Sequence, residues 1–133
     1  MEMKKTQNSV YSLNYHLILV SKYRAQVFTE DISEYAQTMF TRIGQPYGIT
    51  ITEWNHDKDH IHVLFTAEPK TNISKFINAY KSASSRMIKK EYPEVTQKLR
   101  KEQFWSRSFF LASVGGTPLE VFTQYVQSQG DNS

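Results

Sequence analysis

Apolar residues recur along this chain with two different periods, and the switches between them divide it into seven elements. From Val10 to Val20, Leu13, Tyr15, Leu17 and Leu19 take every second position, the spacing that turns one face of a β-strand into a core. The period then lengthens. Ile32, Tyr35, Ala36, Met39, Phe40 and Ile43 fall three and four apart, which predicts an amphipathic helix. Thr29 can cap that helix, Glu30 and Asp31 suit the positive end of its dipole, and Gly44, Pro46 and Gly48 stop it. Ile49 to Trp54 alternates and is β-branched, so it reads as a second strand. Polar Asn55 to Asp59 reads as a turn into a third strand, His60 to Thr66.

A second helix is expected from about Asn72 to Glu91, with Ile73, Phe76, Ile77, Tyr80, Ala83 and Met87 on one face and Pro93 after its end. Phe104 to Val114 reads as a fourth strand, which Gly115-Gly116 breaks. Thr117-Pro118-Leu119-Glu120 is a capping box with proline at the first helical position, opening a final helix to about Gln129 with Gly130 as its stop. The order β-α-β-β-α-β-α predicts an α+β fold, a ferredoxin-like or RRM-like antiparallel sheet with an additional C-terminal helix. Two helices would cover one face, the other face would be free, and the His60 strand would be central. No repeat or linker divides the chain, so residues 1–133 are expected to form one domain.

Composition narrows the function less than the pattern does. Lys and Arg outnumber Asp and Glu 16 to 13, too small an excess to imply nucleic acid by itself. Its distribution is more telling, with bases at Lys22 and Arg24, from Lys81 to Lys90, and from Lys98 to Lys101. The chain has no cysteine, which excludes disulfides, zinc ribbons and thiol catalysis and suits a reducing compartment. Met1 to Gln7 lacks the apolar core of a signal peptide, and no stretch approaches the roughly 20 apolar residues that span a bilayer. The expected setting is a prokaryotic cytoplasm, without membrane association.

Two pairs of residues carry candidate chemistry. His60 and His62 are two apart on a strand, so both imidazoles project from one face while Ile61, Val63 and Phe65 face the helices. Paired neutral imidazoles suit a divalent metal; the plain alternative is one exposed and one hydrogen-bonded histidine. Tyr125 and Gln129 are four apart on the last helix and share a face. Tyr125 offers a phenol that can attack phosphorus and Gln129 a neutral amide oxygen; the plain alternative is an amphipathic tyrosine packed on the sheet. His16 and His56 are left over, expected to be structural and exposed respectively.

His-hydrophobic-His on a strand, followed near the C-terminus by Tyr-x-x-x-Gln on a helix, resembles the single-tyrosine HUH transposases of the IS200/IS605 kind. Further matching segments are Tyr15-His16, Lys22-Tyr23-Arg24, Asp59-His60-Ile61-His62-Val63-Leu64, Lys81-Ser82-Ala83-Ser84-Ser85-Arg86, Phe104-Trp105-Ser106-Arg107-Ser108-Phe109-Phe110, and Tyr125-Val126-Gln127-Ser128-Gln129. The resemblance spans about Tyr11 to Gly130. It departs from the family at His56-Asp57-Lys58-Asp59, where many relatives have Met-Pro-Asp, and at Phe109, where tyrosine is common. These departures bear on DNA contacts, since neither touches the expected ligands or nucleophile.

The resemblance implies a transesterification. Tyr125 would attack a scissile phosphate in single-stranded DNA, leaving a 5′-phosphotyrosine and a released 3′-hydroxyl, and another 3′-hydroxyl would rejoin the strand. Mg²⁺ or Mn²⁺ is implied on His60, His62 and Gln129, although two imidazoles alone also fit zinc or nickel. A free tyrosine titrates near pH 10, so only about one in a thousand is ionised at neutral pH and its proton needs an acceptor. The resemblance also implies hairpins at insertion-sequence ends as substrate. It further implies a homodimer with composite sites, for which Gly115-Gly116 would serve as the hinge. Expected backbone contacts are Lys22, Arg24, Lys75, Ser82, Ser85, Arg86, Lys89 and Arg107, and Phe104 and Trp105 would either stack on bases or pack in the core.

Other readings make different demands. A domesticated relative would share all the chemistry, whereas a rolling-circle initiator or relaxase usually has its motifs in another order or a larger chain. A non-catalytic RRM-like module needs stacking aromatics on the central strands instead of histidines. A paired-histidine phosphodiesterase needs a histidine motif on each of two strands.

Overall fold

The computed structural model describes residues 13–113, together with the backbone of two short strands, β1 (Lys5–Thr6) and β2 (Ser9–Val10), which pair with each other. Strand β3 (Leu13–Val20) leads through a turn at Lys22–Arg24 to helix α1 (Glu30–Gly44). Strands β4 (Ile49–Asp57) and β5 (His60–Ala67) form a hairpin, followed by helix α2 (Ile73–Glu91) and the short strand β6 (Phe110–Ser113). The four longer-range strands make one antiparallel sheet in the order β4-β5-β3-β6. This is the expected α+β arrangement, with the histidine strand in the interior. The segment expected as the last helix, Gly115-Gly116 and Gly130 lie outside the described residues.

The caps form as their residue types dictate. Thr29 accepts a hydrogen bond from the Ile32 amide at 3.2 Å, and Asn72 accepts one from the Lys75 amide at 3.0 Å. After α1, Gly48 turns the chain with φ +73°, and an added Cβ there would sit 2.8 Å from the Glu68 side chain. Between sheet and helices, Leu17, Leu19, Ile61, Val63 and Phe65 pack on Ile32, Ala36, Phe40, Phe76, Ile77 and Tyr80. The buried Tyr80 hydroxyl donates to the Ala36 carbonyl at 2.9 Å and so links α2 to α1.

Three expectations change. The strand expected from Val10 begins at Leu13, because Val10 pairs with Lys5 in the small hairpin. The second strand continues through Asn55, His56 and Asp57, which leaves only Lys58-Asp59 as the turn. Its polar residues sit on an edge strand, where one side of the ladder faces no other strand of this sheet and polarity is tolerated. Third, the strand expected from Phe104 is shorter. Phe104 and Trp105 are buried against the helices, only Trp105 bridges to Ser21, and regular pairing starts at Phe110. Trp105 is pinned there because its indole N–H donates to Ser84 Oγ on α2 at 2.9 Å. Core packing therefore claims both aromatics, and neither is placed to stack on a base.

A β-bulge at Thr52 matters for the rest of the sheet. Ile51 pairs with Phe65 but Glu53 pairs with Leu64, so one extra residue is absorbed. Ile51 and Trp54 thereby both reach the helix side, where the Trp54 indole donates to Ser33 Oγ at 2.9 Å. Glu53, Asn55 and Asp57 are left on the face that carries the histidines.

Candidate active site

Pairing in the sheet assembles the site. His62 lies opposite Ile18 on one side and Asn55 on the other, and His60 lies between Val20 and Asp57. Side chains opposite each other in a ladder share a face, so His60, His62 and His16 all project from the face away from the helices. That face is not uniformly polar: Ile18 and Val20 are buried there against Phe110 and Ala112. On β3 and β5 it carries no aromatic ring in the RNA-stacking positions of an RRM-like module.

Each imidazole has a different setting. His60 Nδ1 lies 2.8 Å from Asp59 Oδ1, leaving Nε2 as the ring nitrogen that can take a ligand. A carboxylate behind a histidine is the usual way a protein orients the ring and raises its basicity toward a metal. His62 is half-buried, and its Nε2 meets His16 Nδ1 at 3.2 Å, so one of these nitrogens carries the shared proton. Burial lowers the pKa of His62, with the neighbouring His16 adding to the effect. Burial also lowers that of His16, against the pull of Glu53. Both rings are therefore held toward the neutral form, the form that binds metals.

Asp59 is the residue that composition and spacing did not single out. Its side chain is nearly buried, yet it accepts both the His60 contact and a 2.6 Å ion pair from Arg24 Nε. Burial alone would raise its pKa; the hydrogen bonds from His60 and Arg24 outweigh it and hold the carboxyl below its ordinary value. The Asp59 carbonyl also accepts the Ser21 amide at 2.9 Å and the Ser21 hydroxyl at 3.0 Å. The Nε of Arg24, an expected DNA contact, is engaged behind His60. The signal available in the sequence was an acid directly before the histidine pair.

The two imidazoles suit a divalent cation in donor chemistry. Among the described residues, however, no group of three His, Asp or Glu side chains is placed to hold a metal, so the pair is an incomplete ligand set without a further donor. Gln129 and Tyr125, expected as that donor and as nucleophile, lie outside the described residues. His56 is not exposed as expected. Strand alternation turns it to the helix side, where Nε2 comes within 3.4 Å of Glu30.

Five of the expected DNA contacts, Lys75, Ser82, Ser85, Arg86 and Lys89, lie along one side of α2. Lys22, Ser82, Ser85 and Arg107 surround a common cavity of about 390 Å³ beside the Lys22–Arg24 turn. Lys89 Nζ reaches the Glu102 carbonyl at 2.8 Å, while Lys75 and Arg86 are exposed along α2. No helix among the described residues is long and apolar enough to cross a membrane.

Comparison with known proteins agrees with this arrangement. Residues 9–129 match the family model described as transposase IS200 like. The ISDra2 transposase TnpA of Deinococcus radiodurans is 32% identical over 131 residues, covering 98% of this chain and 94% of that protein. The transposase for insertion sequence element IS200 of Salmonella typhimurium is 25% identical over 126 residues, covering 95% and 82%. Among solved structures, one from Deinococcus radiodurans superposes with a TM-score of 0.85 at 29% identity, covering 96% of this chain and 98% of that one. A REP-associated tyrosine transposase bound to a REP hairpin shares the fold, with a TM-score of 0.58 at 12% identity over 93% of this chain and 68% of that one. With its sheet order, its paired histidines and a family match over most of its length, this chain belongs to the IS200-like transposase family, whose members are DNA-processing enzymes.

Proposed function

We propose that this transposase cleaves and rejoins single-stranded DNA at hairpin-bearing ends of its element, with Tyr125 as nucleophile and Mg²⁺ or Mn²⁺ as cofactor. The observation that carries the reading is the pair His60 and His62 on one sheet face, with His60 backed by Asp59 at 2.8 Å, within a family match that runs through Tyr125 and Gln129. His60, His62 and Gln129 would hold the cation, which would polarise and orient the scissile phosphate when bound. Asp59 keeps the His60 ring in one tautomer, and His16 does the same for His62 through the shared proton. The Tyr125 oxygen gives up its proton and forms a bond to phosphorus as the bond to the 3′-oxygen breaks, and the departing oxygen takes up a proton to become the 3′-hydroxyl. A later 3′-hydroxyl reverses that exchange, so the number of phosphoester bonds is conserved and no nucleotide hydrolysis is needed. A homodimer with composite sites completes the proposal.

Hairpin DNA is the first substrate to try, since a protein of this fold was solved bound to a REP hairpin. Wild type and Tyr125→Phe are incubated with single-stranded hairpin oligonucleotides from the element's ends, with Mg²⁺ or Mn²⁺ or with chelator, and run on denaturing gels. A covalent protein–DNA band that needs metal and disappears in the variant is the expected result. Hairpin binding without any adduct on those ends would overturn the nucleophile assignment.

A further inference from the structure

The cavity beside the Lys22–Arg24 turn has a character that the cleavage chemistry does not require. It lies between that turn, the middle of α2 and the Gln103–Arg107 segment, and has a volume of about 390 Å³. Lys22, Lys81, Ser82, Ser85, Gln103 and Arg107 supply its polar lining, with Phe104 and Trp105 behind them. Every one of these six side chains can donate hydrogen bonds, and no carboxylate is among the described residues that line it.

Lys81 is the organising group. Its ammonium donates to the carbonyls of Ser106 at 2.7 Å and Arg107 at 3.0 Å. It also stands 5.9 Å from the Phe109 ring centroid. An ammonium has three N–H groups, so two of them fix the far wall and one remains. Trp105, bonded to Ser84 and bridged to Ser21, stiffens the same wall. Burial, and then the nearby Lys22 ammonium, lower the Lys81 pKa. Two like charges thus share a rigid, acid-free recess, an arrangement that an anion would relieve.

The recess is also connected to the histidine strand. Lys22 follows Ser21, whose amide bonds to the Asp59 carbonyl next to His60, and the Lys22 amide bonds to the Phe104 carbonyl at 2.8 Å. The recess and the histidine strand are thus joined through the Ser21–Asp59 link.

We propose that this recess is a dedicated site for one backbone phosphodiester of the single-stranded DNA, separate from the phosphate that is cut. The proposal rests on the DNA-cleaving reading given above. Lys22 and Arg107 would provide charge and the Ser82 and Ser85 hydroxyls would provide orientation. Lys81 would present its remaining N–H from a position fixed by two carbonyls. Contacts of this kind hold register without reading sequence.

The test uses the full chain and a set of hairpin oligonucleotides in which each phosphate in turn is replaced by a neutral methylphosphonate. Binding is measured for wild type, Lys22→Gln and Arg107→Gln, at several salt concentrations and without added metal. In wild type, one position outside the scissile linkage should weaken binding about tenfold. The same replacement should cost little in either variant, and each variant should lower the salt slope by about 0.7. If both variants bind with wild-type slope and the same methylphosphonate profile, the recess is not a phosphate site, although the chain still binds DNA. If wild type fails to bind any hairpin or unstructured strand, the DNA-cleaving reading itself falls. Circular dichroism melting of both variants checks that their fold is intact. Lys81→Met is held as a second variant, because its loss also frees the Ser106 and Arg107 carbonyls.

Discussion

Neighbouring residues of β5 live in different environments. Ile61, Val63 and Phe65 are 0%, 0% and 1% exposed beneath the helices, each touching many side chains of the core. His60 and His62, one residue away, face outward and are held by a few polar contacts: Asp59 behind one ring, His16 beside the other. The apolar side is fixed by many packing contacts, the polar side by directional contacts between particular atoms. Stability and chemistry are therefore separable on one strand, and substitutions on its two sides should fail in different ways.

The largest effect is expected on the polar side. His60→Ala combined with His62→Ala removes both imidazoles and should lower metal-dependent strand cleavage by roughly a thousandfold or more. The thermal midpoint should shift by only a few degrees, since neither ring fills the core. A collapse of the fold would show that the two sides are not separable, and surviving cleavage would remove the histidines from the chemistry. On the apolar side, Ile61→Ala should cost about 2–5 kcal/mol in urea unfolding. Any cleavage activity that persists in the folded fraction should keep its metal requirement.

How much of this was legible in the sequence follows the same division. Alternation from Tyr15 to Leu19 and helical spacing from Ile32 to Ile43 placed the apolar side, because burial repeats with the geometry of each element, although Leu13 at the strand's start is exposed. Thr29 was legible as a cap, since capping is local. The histidine pair was visible for the same reason. What depends on register or on distant chain was not. His16 meets His62 only because β3 and β5 pair in one alignment, across 46 residues. Asp59 meets Arg24, 35 residues earlier, only because the Lys22–Arg24 turn brings that side chain back to it. Phe104-Trp105 mimicked a strand because α2 buries these aromatics without a ladder, and the Thr52 bulge left no mark in the alternation.

Asp59 lies on the boundary between the two sides and so sharpens the comparison. Asp59→Asn keeps the size but removes the charge that backs His60. Manganese affinity, measured by titration without DNA, should fall about ten- to hundredfold, and cleavage should be partly restored at high metal. The carboxyl titrates below its ordinary value in the folded chain despite burial, because His60 and Arg24 hold it ionised. Its contribution to stability is thus present above the ordinary carboxylate range and lost as pH falls through the lowered value. The acid limb of the wild-type stability curve should flatten in Asp59→Asn. An unchanged metal titration would mean that the contact is merely structural.

The smallest effect comes from a substitution that is chemically identical to the one proposed for the nucleophile. Tyr80→Phe removes a single oxygen, as Tyr125→Phe does. Tyr80, however, is fully buried, its hydroxyl donates to the Ala36 carbonyl at 2.9 Å, and burial pushes its phenol far up from the usual tyrosine range. Such a group cannot reach phosphorus; it joins two helices. Loss of that one hydrogen bond should lower stability by about 1 kcal/mol, read as a small drop in the urea midpoint with an unchanged slope. The covalent protein–DNA band should form as in wild type. A variant that folds normally but forms no adduct would show that the α1–α2 contact is coupled to the site, and the separation of the two faces of β5 would then hold only locally.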